Sequence, residues 1–364
     1  MKNKVPLFII IAAVALVSFI FFAAEPTGEQ AFFKPISVTS IQETKDVITQ
    51  NTTELIPFIS GRYFGYHDKN GKLIFSTPRT ENFSLCGTLR TSYEFISPFT
   101  GNDSTVVEPQ SVQIFSAGGK EQCSIPANGY IYLHEGRIFV FLLSGNSLCE
   151  YDTNGTLLWT YSMPGIITAF DCNANFVVLG SSDGAIACLD KSGKEKFLFY
   201  PGGSTVQIIY GLAISPNGQQ LACVCGLDQQ RFILAEVNDY HKIVFHRFLQ
   251  NSSRKQLNMF FDKSCKYLFA ETADGIVILD CQRLQLTQSG ISGKLTNTSV
   301  EISKDAFALL SQNADTATLS FFDMKCRKFA ETDFTCSSSS LSQFGNEYFL
   351  IADEKIIRFS LNKQ

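Results

Sequence analysis

One spacing recurs along this chain and limits what it can fold into. "HDKNGKLIF" (67–75), "YDTNGTLLW" (151–159) and "LDKSGKEKF" (189–197) each carry an Asp, a Gly three residues on and a large aromatic seven residues on. The residues are Asp68, Gly71 and Phe75; Asp152, Gly155 and Trp159; Asp190, Gly193 and Phe197. Asp opens a type I turn by accepting backbone N–H groups, and Gly takes the left-handed conformation that releases the second strand. The aromatic then falls on one face of the departing strand, where it can cover a neighbouring sheet. These residues are expected to build hairpins rather than a reaction centre.

Weaker copies continue the series at "FSAGGKEQC", "EVNDYHKIVF", "LDCQRLQL", "FDMKCRKF" and "IIRFSLNKQ", anchored on Ser116, Asn238, Asp280, Asp323 and Ser360. Successive anchors from Asp68 to Ser360 lie 36 to 48 residues apart, close to the roughly 40–50 residues of a four-stranded propeller blade. Within one period four strands can be read: "QIIYGLAIS", "QLACVCG", "RFILAEV" and "KIVFHRFL". The fold class expected is all-β, a β-propeller of four-stranded blades. No fourth strand remains after Ser360, whereas residues 61–78 supply strands ahead of the first full period. N-terminal strands are therefore expected to complete the last blade, which gives seven blades, or eight if the N-terminal hairpin stands alone.

These residues resemble two related propeller families. "YDTNGTLLW" and "LDKSGKEKF" are similar to the quinoprotein-like (pyrroloquinoline-quinone-type) repeat, and "ISPNGQQLACV" is similar to the Ser-Pro-Asp-Gly turn of WD-like and periplasmic propellers. The resemblance covers residues 57–364 and is specific for fold. A single Trp in the chain departs from the quinoprotein pattern, which docks blades through regularly placed tryptophans. The resemblance implies a platform role, since the family includes a docking scaffold of outer-membrane β-barrel assembly; it does not by itself transfer a task.

Lys2 and Lys4 precede twenty uncharged residues, 5–24; at about 1.5 Å per residue these can cross a hydrocarbon core of about 30 Å. The sequence divides into a signal anchor or transmembrane helix (1–24), a linker or stalk (25–56) and the propeller (57–364). Lysines before the span and Glu25 and Glu29 after it place the N-terminus inside. The expected location is the inner (cytoplasmic) membrane, single-pass, with the propeller in the periplasm or outside the cell.

Hydrophobic residues make up 45% of the chain and charged residues 18%, with a formal net charge of −4. No run of Lys and Arg has the density that nucleic acid requires, so no nucleic-acid partner is expected. The 11 cysteines are scattered one or two per period, and Cys223-Val-Cys225, the closest pair, points its side chains to one face of a strand. They read as small buried hydrophobes. Histidines 67, 134, 241 and 246 form no metal-binding spacing, and neither a Gly-x-Ser-x-Gly elbow nor a phosphate-binding Gly loop is present. No cofactor, metal or catalytic residue is expected. The role expected is a non-catalytic, membrane-anchored scaffold that binds envelope proteins. The alternatives are a ligand-binding or sensor propeller, and a quinone- or metal-dependent propeller enzyme.

Overall fold

The computed structural model describes residues 31–363 apart from 45–54, 80–82, 87–88, 97–107, 127, 135, 239–241, 292–293 and 302–305, together with residues 14, 16, 18 and 19. Among the described residues the strands pair into eight antiparallel sheets arranged as blades. In chain order, blades 1 to 7 span residues 56–78, 83–125, 129–162, 167–199, 209–248, 259–290 and 294–335. Blade 8 combines Ser339–Phe344, Glu347–Ala352 and Lys355–Lys363 with Ala31–Ser40 as its outermost strand. Blade 5 reproduces the four strands read from sequence, as Ile209–Ile214, Gln220–Cys225, Arg231–Glu236 and Ile243–Phe248.

Three sequence expectations are corrected here. The propeller has eight blades, not seven, because the strand that completes the last blade comes from 31–40 and leaves 56–78 as a blade of its own. For the same reason part of the expected linker 25–56 belongs to the propeller. Ser360 opens no turn, since it lies inside Lys355–Lys363 opposite Lys34. Of residues 1–24 only Val14, Leu16, Ser18 and Phe19 are described, as helical. Among the described residues no helix is long and apolar enough to cross a membrane, and the rest of the expected anchor lies outside them.

The middle strands of blades 3 to 7 are largely buried on both faces, and their alternation divides them between two neighbours. In Gln220–Cys225, Leu221, Cys223 and Cys225 pack toward blade 4, while Ala222 and Val224 pack toward blade 6. Separate apolar clusters of this kind fill the junctions from blade 2 round to blade 1. No blade could bury its faces alone, so the ring is the cooperative unit.

In a four-stranded meander the first and third hairpins lie on one face of the ring, here the upper face, and the second hairpin and the blade-to-blade connection on the lower. Blade 1 has three described strands. Its 59–63 hairpin meets blade 8 from below, with Ser340 Oγ donating to the Ile59 carbonyl at 3.1 Å and Arg62 pairing with Glu354 at 3.2 Å. That hairpin is thus a second hairpin, and the turn at Asp68 is a third one, as in blades 3 and 4.

All three Asp turns have one geometry. The Oδ1 of Asp68 accepts from the N–H of Asn70 and Lys72 at 2.8 Å each, that of Asp152 from Asn154 and Thr156 at 2.9 and 2.7 Å, and that of Asp190 from Ser192 and Lys194 at 2.9 and 3.1 Å. Gly71, Gly155 and Gly193 sit at φ of 76°, 82° and 76°, and each turn is followed by a register shift in its hairpin. The aromatic explains the rest of the spacing. A Cβ on Gly193 would stand 2.4 Å from Cγ of Trp159 in the preceding blade, and one on Gly155 would stand 2.7 Å from the Ser124 carbonyl, beside Cys123. The residue at the seventh position of one blade therefore covers the turn glycine of the next. In blade 7 Cys326 replaces the glycine at φ 58° and donates from Sγ to Thr287 Oγ1 at 3.3 Å.

Gly193→Ala is expected to cost about 2–4 kcal/mol, since it combines a left-handed φ with overlap on a packed ring. Urea denaturation followed by Trp159, the one tryptophan, measures this directly, and an unchanged midpoint would refute the packing account.

The ring closes between blades 8 and 1. Arg358 grips Glu347 through Nε at 2.7 Å and Nη2 at 3.0 Å, and Nη1 donates to the Asn70 carbonyl of blade 1 at 3.1 Å. Beside it the fully buried His67 ring packs 4.7 Å from Phe349, and its Nδ1 lies 2.8 Å from the Asp68 carbonyl, fixing the Nδ1–H tautomer and leaving Nε2 without a partner. Burial lowers the His67 pKa from 6.5, against the raising influence of Asp68. A depressed histidine contributes stability above its unfolded pKa that is lost as pH falls through the folded value. His67→Phe should therefore gain stability relative to the native chain between pH 7.5 and 5, as measured by paired denaturation curves; a constant gap would contradict the assignment.

Candidate functional site

The lower face carries a concave, largely apolar surface at the mouth of the central channel. The first strand of blade 3, Gly129–His134, alternates so that Tyr130 and Tyr132 point out of the core while Leu133 enters it. Tyr130 is 55% exposed, and Ile166, in the connection into blade 4, is 58% exposed. Together with Phe141, Leu143, Thr168 and Phe170, and with Gln256 reaching in from the connection into blade 6, they line a cleft of about 360 Å³.

The cleft floor is held by an aromatic cluster. Phe170, on the channel-lining strand Ile167–Cys172, receives Tyr132, Phe139 and Phe141 edge-on at 5.2, 5.3 and 5.1 Å. Such geometry adds to area burial and fixes ring positions. Farther out on the same face, Tyr200, Val206 and Phe248 are also exposed. The rim is of mixed charge: Asp183, Asp228 and Asp274 occupy the lower hairpins of blades 4, 5 and 6 and are exposed, and Arg254 and Lys255, beside Gln256, are exposed as well. Asp228 is held ionised by the hydroxyls of Ser204 and Thr205, the latter at 2.7 Å.

Beneath this surface two polar devices lock blades together. Arg137 makes a bidentate pair with Glu150 at 2.7 and 2.6 Å and donates to the Asn173 carbonyl of blade 4 at 2.9 Å, with its guanidinium 4.8 Å from the Phe139 ring centre. This repeats the Arg358–Glu347 arrangement that closes the ring. Asp171, next to Phe170, accepts the N–H of Cys172 at 2.9 Å and reaches blade 5 by accepting that of Ile214 at 2.8 Å. Burial raises its pKa to about 6, against the lowering by those two N–H groups.

The sign follows from linkage: a carboxyl with a raised folded pKa contributes stability at low pH that is lost as pH rises through the folded value. From pH 4 to 7 the native chain should lose up to about 3 kcal/mol relative to Asp171→Asn, even if the amide costs a hydrogen bond throughout. A pH-independent gap would refute this.

The nine turn residues named from sequence lie on the opposite, upper face or behind it, three in each of blades 1, 3 and 4, and among the described residues no functional group converges on them. A larger cleft of about 800 Å³ on the lower side of blades 7, 8 and 1 is lined by groups of both signs, including Arg62, Asp333, Asp353 and Lys355. Among the described residues no group of three His, Cys, Asp or Glu is placed to hold a metal ion. Of the 11 cysteines the ten with described side chains, all but Cys86, are free thiols, eight of them buried, and burial raises the pKa of Cys188 and of Cys281 to about 12. The channel-mouth residues were not singled out in the sequence; "GYIYLH" carries the signal, two tyrosines alternating with core residues where a channel-lining strand is expected.

A closed ring of eight antiparallel blades with a strand shared between its ends defines a β-propeller. The chain belongs to a family described as beta-propeller protein, which it matches over residues 1–364. It is 30% identical over 370 residues to an uncharacterized protein of Treponema pallidum (strain Nichols), covering 99% of this chain and 95% of the relative. Among solved structures it resembles BamB from Moraxella catarrhalis, with 13% identity, a TM-score of 0.57 and coverage of 90% and 100%. It also resembles the computationally designed Ika8 protein, with 14% identity, a TM-score of 0.62 and coverage of 92% and 98%. The Dos1 propeller matches at 12% identity and a TM-score of 0.58, covering 90% and 95%. At these identities the structural likenesses speak to fold alone.

Proposed function

We propose that this chain is a non-catalytic scaffold of the cell envelope, anchored by residues 5–24 in the inner membrane with the propeller outside the cytoplasm. In this reading the channel mouth of blades 3 and 4 receives a partner protein. The observation that carries it is the exposure of Tyr130, Tyr132 and Ile166 around a formed cleft. Aromatic side chains at the centre of a surface, ringed by polar groups, are the usual anatomy of a protein interface. The charged rim, with Asp183, Asp228 and Asp274 together with Arg254 and Lys255 beside Gln256, adds selectivity for a segment whose apolar anchors are flanked by complementary charges.

The test is in-cell photocrosslinking with a benzophenone amino acid at position 130 or 166, and at Gln285 on an exposed strand of blade 6 as control. One adduct of the same mass is expected from 130 and 166 and not from 285. With the probe at 166, Tyr132→Glu should remove it. No adduct, or equal labelling at 285, would refute the docking surface.

A further inference from the structure

The hairpins of the two faces differ in charge, and the pattern follows the repeat: the third hairpins are basic and the second hairpins of blades 4 to 8 carry aspartates, although Arg62, Arg254, Lys255 and Lys355 also stand on the lower face. On the upper face, third hairpins in six of the eight blades present exposed basic residues, among them Lys72, Lys120, Lys194, Lys242, Arg283 and Lys325 in blades 1, 2, 4, 5, 6 and 7. The carboxylates of the Asp residues that open these turns are folded back onto backbone N–H groups, as at Asp68, Asp190 and Asp323, so the basic side chains form the outer layer. On the lower face the second hairpins of five consecutive blades carry Asp183, Asp228, Asp274, Asp315 and Asp353. A body with a basic and an acidic end is oriented by a charged plane.

A second observation concerns the chain path. Ala31–Ser40 runs antiparallel to Lys355–Lys363, pairing Ser40 with Lys355 at the lower hairpin of blade 8 and Ala31 with Lys363 at the other end. The chain therefore enters the propeller at the upper face. Residues 25–30 separate it from the apolar stretch 5–24, and six residues reach at most about 20 Å.

We infer that the upper face is a membrane-docking surface, whose ring of Lys and Arg rests on anionic phospholipid headgroups and turns the channel mouth away from the bilayer. This rests on the anchored reading above for the direction of approach; the charge pattern is independent of it. Polybasic surfaces close to a bilayer are drawn to anionic headgroups, and the attraction fades within a Debye length.

The full chain, reconstituted in vesicles with about one third phosphatidylglycerol and a trace of dansyl-labelled lipid, tests this. Trp159 lies near the upper end of its strand and serves as the upper reporter; Tyr200→Trp in a Trp159→Phe background serves as the lower one. Energy transfer from the upper reporter should exceed that from the lower at least threefold. The difference should collapse in pure phosphatidylcholine, in high salt, and in a Lys72→Glu, Lys194→Glu, Lys325→Glu variant whose Trp159 emission shows it folded. Equal transfer from the two reporters, or an orientation indifferent to lipid charge, would overturn the inference. Release of the chain by alkaline carbonate would instead sink the anchor. The docking surface would then be judged by flotation of the released protein, where at least fivefold more native chain than triple variant should rise with anionic vesicles, and no difference overturns it.

Discussion

The ladder between Ala31–Ser40 and Lys355–Lys363 is the interaction on which the ring depends. Each junction from blade 2 round to blade 1 is an apolar cluster shared by two neighbours, so a ring opened between blades 8 and 1 would expose two such faces. A strand taken from the N-terminus and laid on the C-terminal blade converts chain connectivity into ring closure. The outer position suits this sequence. Pro35 lacks an N–H and sits at a register shift on the edge strand, where no further strand has to pair. Edge strands with Pro, a bulge and Lys34 resist pairing with other chains.

Closure has a second layer in the side chains. Arg358 and Arg137 do the same thing at two junctions, each held by a glutamate in its own blade and donating to a backbone carbonyl of the next. A bidentate guanidinium has a donor left over, and a lysine in its place would not reach both partners. At 15% and 7% side-chain exposure the Arg137–Glu150 pair is substantially desolvated, so its value lies in specifying the angle between blades more than in net stability. His67 fills the corresponding inner position between blades 8 and 1 and brings the pH sensitivity that an all-apolar junction would lack.

Much of the fold was legible in the sequence because its signal is local and periodic. Asp68, Asp152 and Asp190 with their glycines fix hairpins through bonds made within a few residues, and those turns stand where the spacing put them. The count of blades was not legible, because it depends on which distant strand pairs with Lys355–Lys363. The stretch 31–40 has Pro, Lys and Ser in it and lacks the apolar runs of the middle strands, as an outermost strand should; read alone it looks like a linker. Ser360 misled for a related reason, since a Ser followed by polar residues at a chain end resembles a turn until a partner strand continues the ladder. The channel mouth was hidden because Tyr130, Ile166 and Gln256 are brought together from different blades.

The charge pattern shows the same limit in another form. One or two basic residues per third hairpin, some 40 residues apart, never form a run, and the chain as a whole is acidic. The fold superposes these positions on one face and collects the aspartates of the second hairpins on the other. A repeat protein can thus encode a surface a residue or two at a time, with six copies of the turn contributing Lys or Arg to a field that exists only in the closed ring. Blade 3 is the exception that fits: its turn is Asp152-Thr-Asn-Gly-Thr, without a basic residue. That gap lies in a blade whose opposite end carries Tyr130, so charge and apolar contact are assigned to different ends of the same architecture.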